Sequence, residues 1–422
     1  MKNSGKKNIQ ERIVINVPKY PKLIVDTLEK NGYEAYIVGG CVRDSLLGKI
    51  PDDYDITTNA KPEEIKKLFK RTIDTGIKHG TVSVLFYEDN KPHTYEVTTF
   101  RIDGKYDDSR HPSEVKFVGE LKEDLLRRDF TINAMAYNDK TGIVDIFGGV
   151  ADLEKKVVRA VGNPIERFTE DALRLLRAIR FSAKLGFEIE KDTEKAIKEL
   201  SYRLENVSKE RVEVELTKTI TSMHPEYIDR IYELGLSKYI CEGFDSVKIG
   251  KFKPYLPTHL AYSCLLYNVS HEFAEGLMRN LKMDNNNIFI VKSLLEAKGF
   301  YGKIYTCKDD SEFTIIVKEL ICFLGYDLTY DFIKLININE KSSSVIKKVK
   351  EIVDRLKKEN CPIFIKDLKV NGNDIMKIGF AGKEVGVTLS SLLKIVHKNR
   401  TYNDKVILED IIKKVYKNYK GV

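Results

Sequence analysis

The chain has 422 residues, enough for two to four domains, and its 42% hydrophobic content with 26 Gly and 11 Pro excludes disordered and repeat-array classes. No run of about 18 apolar residues marks a membrane span, and the opening MKNSGKKNIQER lacks a signal-peptide core, so a cytoplasmic protein without a membrane partner is expected. Net charge is +8, and residues 341–422 hold 19 Lys and Arg against 9 Asp and Glu, so the positive excess sits in the C-terminal fifth.

Such a lobe can hold a phosphate backbone by counterion release; a lysine-rich solvated surface fits it equally well. Six cysteines (Cys41, Cys241, Cys264, Cys307, Cys322, Cys361) are scattered without a Cys-X-X-Cys pair, which argues against zinc and against a disulfide framework. They read as reduced core residues.

Taken in chain order, the apolar run Ala35 to Val38 opens into Gly39-Gly40 and a helical segment from Cys41 to Leu47, closed by Gly48. This is strand, glycine turn, helix start, a place where backbone approaches a ligand closely and free N–H groups favour an anion such as a triphosphate. Arg43 lies one turn in, placed to add a fixed charge. Asp53-Tyr54-Asp55 follows, leading into Ile56-Thr57-Thr58. In a strand, residues i and i+2 share a face, so two repelling carboxylates stand side by side and call for a cation. Hard oxygen ligands suit Mg²⁺, which also bridges nucleotide phosphates; a turn with solvated aspartates is the bland alternative.

Pro62-Glu63-Glu64 starts a helix through Ile65, Leu68 and Phe69, with proline in the first turn and carboxylates at the positive end. Strands are predicted at Val82–Tyr87 and Thr94–Phe100. Glu96 shares a face with Thr94 and Thr98, either as a third carboxylate that activates a hydroxyl or completes a metal shell, or as a solvent-facing residue. Residues 101–114, RIDGKYDDSRHPSE, read as a chemically varied loop. In Arg127-Arg128-Asp129-Phe130-Thr131-Ile132-Asn133-Ala134, strand and helix start both fit the pattern, and paired arginines suit a triphosphate.

From Arg167 onward the pattern is helical throughout. Leu175, Leu176, Ile179 and Ala183 define a buried face, and Asp171, Arg174 and Arg177 form a slowly turning stripe beside it, with Arg180 further round. A salt-bridge ladder is one meaning of such charges. The sharper one is an acceptor beside a donor fork on a single rigid helix, which matches the amino group and ring nitrogen of cytosine or adenine and mismatches uracil and guanine.

Gly39-Gly40-Cys41-Val42-Arg43-Asp44, Asp53-Tyr54-Asp55, Arg128-Asp129-Phe130-Thr131-Ile132-Asn133-Ala134 and Glu170-Asp171-X-X-Arg174-X-X-Arg177 resemble, in order, the motifs of the bacterial and eukaryotic class of tRNA nucleotidyltransferases, the CCA-adding enzymes of the polymerase-beta-like superfamily. The likeness covers residues 30 to 215, with Asp145-X-Phe147-Gly148-Gly149 and Lys209-Glu210-Arg211-Val212 between motifs. Asn371-Gly372-Asn373-Asp374-Ile375-Met376 and Gly382 to Gly386 resemble the family's C-terminal region more loosely.

The resemblance implies an α+β protein: a mixed-sheet nucleotidyltransferase head (1–150), then an all-helical neck with the base-selecting helix (151–220), body (221–300) and basic tail (301–422). It also implies roles. Asp53 and Asp55 bind Mg²⁺; Gly40, Arg43 and Arg128 bind nucleotide; Asp171 and Arg174 select the base, with Arg177 and Arg180 nearby. Expected partners are CTP, ATP and tRNA, gripped at its 3′ end, acceptor and T arm. A bacterial poly(A) polymerase, partial enzymes adding only CC or only A, and a non-catalytic RNA-binding relative are the alternatives. Thr75-Gly76-Ile77-Lys78-His79-Gly80-Thr81 looks more like the CCA-adding form, the loop at 101–114 is the one CC-adding enzymes lack, and the chain has no His-Asp dipeptide of an appended phosphohydrolase.

Overall fold

The computed structural model describes residues 14–103, 115–341 and 343–420, which fall into two units, Met1–Asp245 and Ser246–Val422. The first is α+β. Helix α1 (Lys19–Lys30) leads into β1 (Ala35–Val38), α2 (Gly40–Leu46), β2 (Asp55–Thr58), α3 (Pro62–Leu68), β3 (Thr72–Gly76), β4 (Thr81–Glu88) and β5 (Lys91–Thr99). Strands β6 (Arg101–Asp103) and β7 (Val115–Phe117) pair antiparallel. Most of the predicted loop, 104–114, lies outside the described residues. Helix α4 (Leu121–Leu126), β8 (Met135–Asn138), β9 (Gly142–Asp145) and α5 (Gly149–Glu154) complete the sheet region.

Seven strands form one mixed sheet in the order β3-β4-β5-β2-β1-β8-β9. The central pairing is what builds a site. Antiparallel β1 and β2 set Val38 opposite Asp55, so the glycine turn leaves the sheet directly beside the carboxylates. Parallel β2 and β5 pair Ile56 with Val97, which brings Glu96 next to the same row. Ile37, Val38, Ile56 and Val97 are buried; apolar residues at both faces fix this register, because a slip of one residue would turn every side chain over.

The 127–137 stretch, which periodicity left between strand and helix, is neither over its first half. Phe130 makes an isolated bridge to Ala160, a 3₁₀ turn covers Thr131–Asn133, and only then does β8 begin. Beyond it lie β10 (Val157–Val158), α6 (Pro164–Glu170), α7 (Leu173–Leu185), β11 (Glu188–Ile189), α8 (Lys191–Leu200) and α9 (Lys209–Ile220). The parallel β10–β11 pair corrects the expectation of helix alone after Arg167. Gly186, left-handed at φ 70°, ends α7, and the returning chain carries the buried Phe187 and sets buried Ile189 opposite Val158.

The second unit is helical among its described residues, from Thr258 to Lys420. Its helix Asp310–Asn339 is broken at Gly325, where φ 77° and ψ 167° leave helical geometry. Leu260, Leu294, Val317, Leu320, Ile336 and Val353 form one core; Ile375, Leu392, Val396, Leu408 and Ile412 form another. The Asn371-Gly372-Asn373-Asp374 stretch is a helix start. Asn371 accepts from the backbone of Asn373 and Asp374, and the Asp374 carboxylate takes the Asn371 N–H at 2.9 Å. Cys41, Cys241 and Cys264 are buried and the other three cysteines half-buried, all outside any disulfide. Among the described residues no helix is long and apolar enough to cross a membrane.

Candidate active site

The turn after β1 depends on glycine. Gly39 adopts φ 83°, ψ −125°, a conformation that side chains resist, and a Cβ there would stand 3.0 Å from Nη1 of Arg128. Glycine therefore lets the Arg128 guanidinium lie on the main chain. Across the same opening, Asp53 and Asp55 are exposed, and neither carboxylate has a hydrogen bond or ion pair among the described residues. Desolvation raises the Asp55 pKa first, the charge of Asp53 second; Glu96 adds to the rise and Arg128 opposes it. Glu96 is thus within electrostatic reach on β5, exposed. Among the described residues no three His, Cys, Asp or Glu side chains gather closely enough to hold a metal. The donor set is two hard carboxylate ligands carrying uncompensated charge, which fits a divalent cation completed by phosphate and water.

The carboxylates open onto a cavity of about 530 Å³ that also takes in Gly40, Arg43, Arg128, Asp171, Arg174, Arg177 and Arg180. Every predicted site residue except Glu96 lines it. Arg43 is buried and held on two sides: Nε and Nη2 donate to Asp44 at 2.8 Å, and Nη1 donates to Asn133 Oδ1 at 2.5 Å. Asn133 Nδ2 donates to Asp129 Oδ1 at 3.1 Å, and Asp129 Oδ2 accepts from Arg177 Nε at 2.8 Å. This line of bonds joins α2 to α7 through the Arg-Asp-Phe-Thr-Ile-Asn motif. Burial alone would raise the Asp129 pKa, but Arg177, with help from Asn133, holds it at about 2.

Phe181 is the floor beneath the cations. Its ring lies 5.4 Å from the Arg43 guanidinium, 5.5 Å from Arg177 and 4.2 Å from Arg180, so a quadrupole faces three positive groups that would otherwise repel. Arg180 also pairs with the buried Glu215 carboxylate, Nη1 donating to Oε1 at 3.4 Å while Nε stands 3.1 Å from Oε2 outside hydrogen-bond alignment. Burial, then the neighbouring Arg177, push the Arg180 pKa down, while Glu215 pulls it up. Nε of Arg128 is buried with no hydrogen-bond acceptor among the described residues, which leaves donor capacity for an anion.

Asp171 and Arg174, expected to select the base from a single helix, do not share one. Helix α6 ends at Glu170, α7 begins at Leu173, and Asp171 sits in the break with extended geometry, φ −138°, ψ 104°. The aspartate itself makes the break: its Oδ1 accepts the Leu173 N–H at 3.0 Å, a local bond that competes with helix continuation. Its Oδ2 accepts from Arg211 Nη2 at 2.8 Å. Arg174, on α7, donates to Glu170 Oε2 at 2.7 Å, to the Arg167 carbonyl at 3.0 Å and to the Arg127 carbonyl at 2.7 Å. The i,i+3 ladder is absent, because Asp171 and Arg177 each pair with a residue far away in sequence. Acceptor and donor still share one cavity, each held by a partner that aims it.

Asp129, Asn133, Phe181 and Arg211 also line the cavity, and sequence reasoning gave them no role; Arg127, paired with Arg128 as a triphosphate contact in the sequence, lines it too. Asp129 and Asn133 stood inside a recognised motif, and Arg211 inside Lys209-Glu210-Arg211-Val212. Phe181 had no signal beyond following Arg180.

Residues 35–159 match the family described as "Poly A polymerase head domain", and residues 186–248 that described as "Probable RNA and SrmB- binding site of polymerase A". A CCA-adding enzyme of Ligilactobacillus salivarius is 37% identical over 428 residues, spanning 96% of this chain and 98% of that relative. The chain belongs to the CCA-adding enzyme family. Identity reaches 52% over 204 residues with the CCA-adding enzyme of Lactiplantibacillus plantarum, across 48% of this chain and 49% of that one. The crystal structure of the Bacillus stearothermophilus CCA-adding enzyme in complex with CTP superposes with a TM-score of 0.78 at 27% identity, covering 96% of this chain and 100% of its own. The head description alone would suit a poly(A) polymerase. End-to-end likeness to CCA-adding enzymes makes this chain a tRNA nucleotidyltransferase.

Proposed function

We propose that this enzyme adds C, C and A in turn to the 3′ end of tRNA, from CTP and ATP, in the cytoplasm, with no nucleic-acid template. The observation that carries the reading is one cavity lined by Asp53, Asp55, Asp171 and Arg174 together with the cationic Arg43, Arg128, Arg177 and Arg180. Arg128 offers its unbonded Nε–H to the triphosphate, Arg180 adds its charge, and Gly40 keeps the approach open. Asp171 accepts from the exocyclic amino group of C or A while Arg174 donates to the ring acceptors. Asp53 and Asp55 would hold Mg²⁺, which supplies charge neutralisation on the phosphates and a lowered barrier to hydroxyl attack. Glu96, which raises the Asp55 pKa through its charge, is the candidate to accept a proton from the attacking 3′-hydroxyl.

The RNA is gripped by the basic C-terminal region. Lys357, Lys366, Lys369 and Arg400 share a groove of about 820 Å³ with the rings of Tyr326 and Phe364, which suits a phosphate backbone with an unstacked base. Head to residue 150, neck to 220, body to 300 and tail beyond are the functional divisions we assign, the body spanning the boundary between the two units at Asp245 and Ser246.

The test is extension of a tRNA lacking its last three nucleotides, with MgCl₂. CTP alone should add two residues, CTP with ATP three, and UTP or GTP essentially none. Growth of a long A tail would instead make it a poly(A) polymerase, and extension only of tRNA already ending in CC an A-adding enzyme.

A further inference from the structure

Asp124, on α4, is a carboxylate with 0% exposure that has no task of its own in binding nucleotide, metal or RNA. Its Oδ1 accepts from Arg127 Nε at 2.9 Å and Nη2 at 2.8 Å. Its Oδ2 accepts from Arg128 Nη2 at 3.3 Å and from Thr57 Oγ1 at 3.2 Å. These partners belong to three separate parts of the site. Thr57 lies on β2 two residues beyond Asp55, hence on the same face, and its single hydroxyl hydrogen is shared between Asp124 and the Thr98 carbonyl on β5, 3.3 Å away. Arg128 lies against Gly39 and interacts electrostatically with Asp55. Arg127 offers its main-chain carbonyl to Arg174 at 2.7 Å.

Burying a carboxylate is expensive, and a packed apolar residue usually stabilises a fold as well or better. Here the buried charge stands where catalytic strand, triphosphate arginine and base-selecting arginine meet. We propose that Asp124 is a positioning residue, tying Arg128 and the main chain beneath Arg174 to the strand that carries Asp55, so that triphosphate, base and metal carboxylates keep one frame. Burial alone would raise its pKa, but Arg127 and then Arg128 hold it below the usual carboxylate range, so the tie is charged. Misplacement of reacting groups by about 1 Å can cost on the order of a hundredfold in rate, which is the scale of effect such a tie controls.

The inference rests on the proposed nucleotidyl transfer, so wild-type extension of tRNA is the control; if the wild type adds no nucleotide, that reading fails and this one is judged on CTP binding alone. Asp124→Asn keeps the shape and removes the charge. It should raise KM for CTP and ATP about tenfold and lower kcat, at a temperature well below its Tm and with tRNA affinity unchanged. CTP binding to the free enzyme should weaken in step. Thr57→Val, which removes only the hydroxyl, should lower kcat several-fold with little change in KM, and Thr57→Ser should restore it. Wild-type KM, kcat and CTP affinity in a folded Asp124→Asn protein would overturn the proposal, as would a loss that tracks only the folded fraction. Should Asp124→Asn fail to fold, the threonine pair decides: Thr57→Val indistinguishable from Thr57→Ser overturns it.

Discussion

Asp53 and Asp55 repel one another with no protein cation close enough to pair with either among the described residues, and that imbalance is the strongest residue-level mark of a metal site. Replacing Asp53 with Ala should reduce addition of both C and A by on the order of a thousandfold or more, since several kcal/mol of charge stabilisation are lost, while tRNA binding in a gel-shift assay persists. Near wild-type extension by that variant would remove the metal assignment. Asp129 invites a different measurement. Its folded pKa of about 2 lies below an unfolded value of about 3.9, so between the two the unfolded chain binds more protons and stability declines as the pH is lowered. The contribution, about 2–3 kcal/mol, is complete above about pH 5 and mostly lost as pH approaches 2. Asp129→Asn should be less stable at pH 7 and show a flatter stability curve between pH 5 and 2 in urea titrations; an unaltered slope would mean that Arg177 does not hold this carboxylate.

Among the elements, β1, the glycine turn and β2 are legible from sequence because their signals are local: an apolar run, two glycines and a carboxylate pair two residues apart. The break between α6 and α7 is not legible in that way. Leu175, Leu176, Ile179 and Ala183 continue an unbroken helical period, and nothing in the period reports that Asp171 bonds the Leu173 N–H and stops the preceding helix. Arg211 pairs with Asp171 across 40 positions, a tertiary contact that no short window contains. The tail's charge was countable but its arrangement was not; the groove depends on how the segments holding Tyr326, Phe364 and Arg400 pack. Changing Lys366 and Arg400 together to Glu should weaken tRNA binding and reduce the slope of log affinity against log salt by about 1 for each phosphate that the protein no longer neutralises, with KM for CTP little changed. An unaltered slope would return those charges to ordinary surface.

For the whole molecule, the motif order predicted an α+β nucleotidyltransferase followed by helices, and likeness along the full chain to CCA-adding enzymes places it in that family. The added content of the structure is how separate motifs converge: pairing in the sheet brings the glycine turn to the carboxylates, and the bonds through Asn133 and Asp129 carry the line to α7. Asp171 and Arg174, the proposed base-selecting pair, line the same cavity as the proposed metal ligands Asp53 and Asp55. The most direct test is the ratio of kcat/KM for CTP over UTP on a tRNA lacking its terminal CCA, in wild type and in Asp171→Ala. Loss of the acceptor for the amino group should lower that ratio by about tenfold or more, the equivalent of about 1–3 kcal/mol, even as total activity falls. A ratio equal to that of the wild type would contradict the account, and would place base choice somewhere other than Asp171 and Arg174.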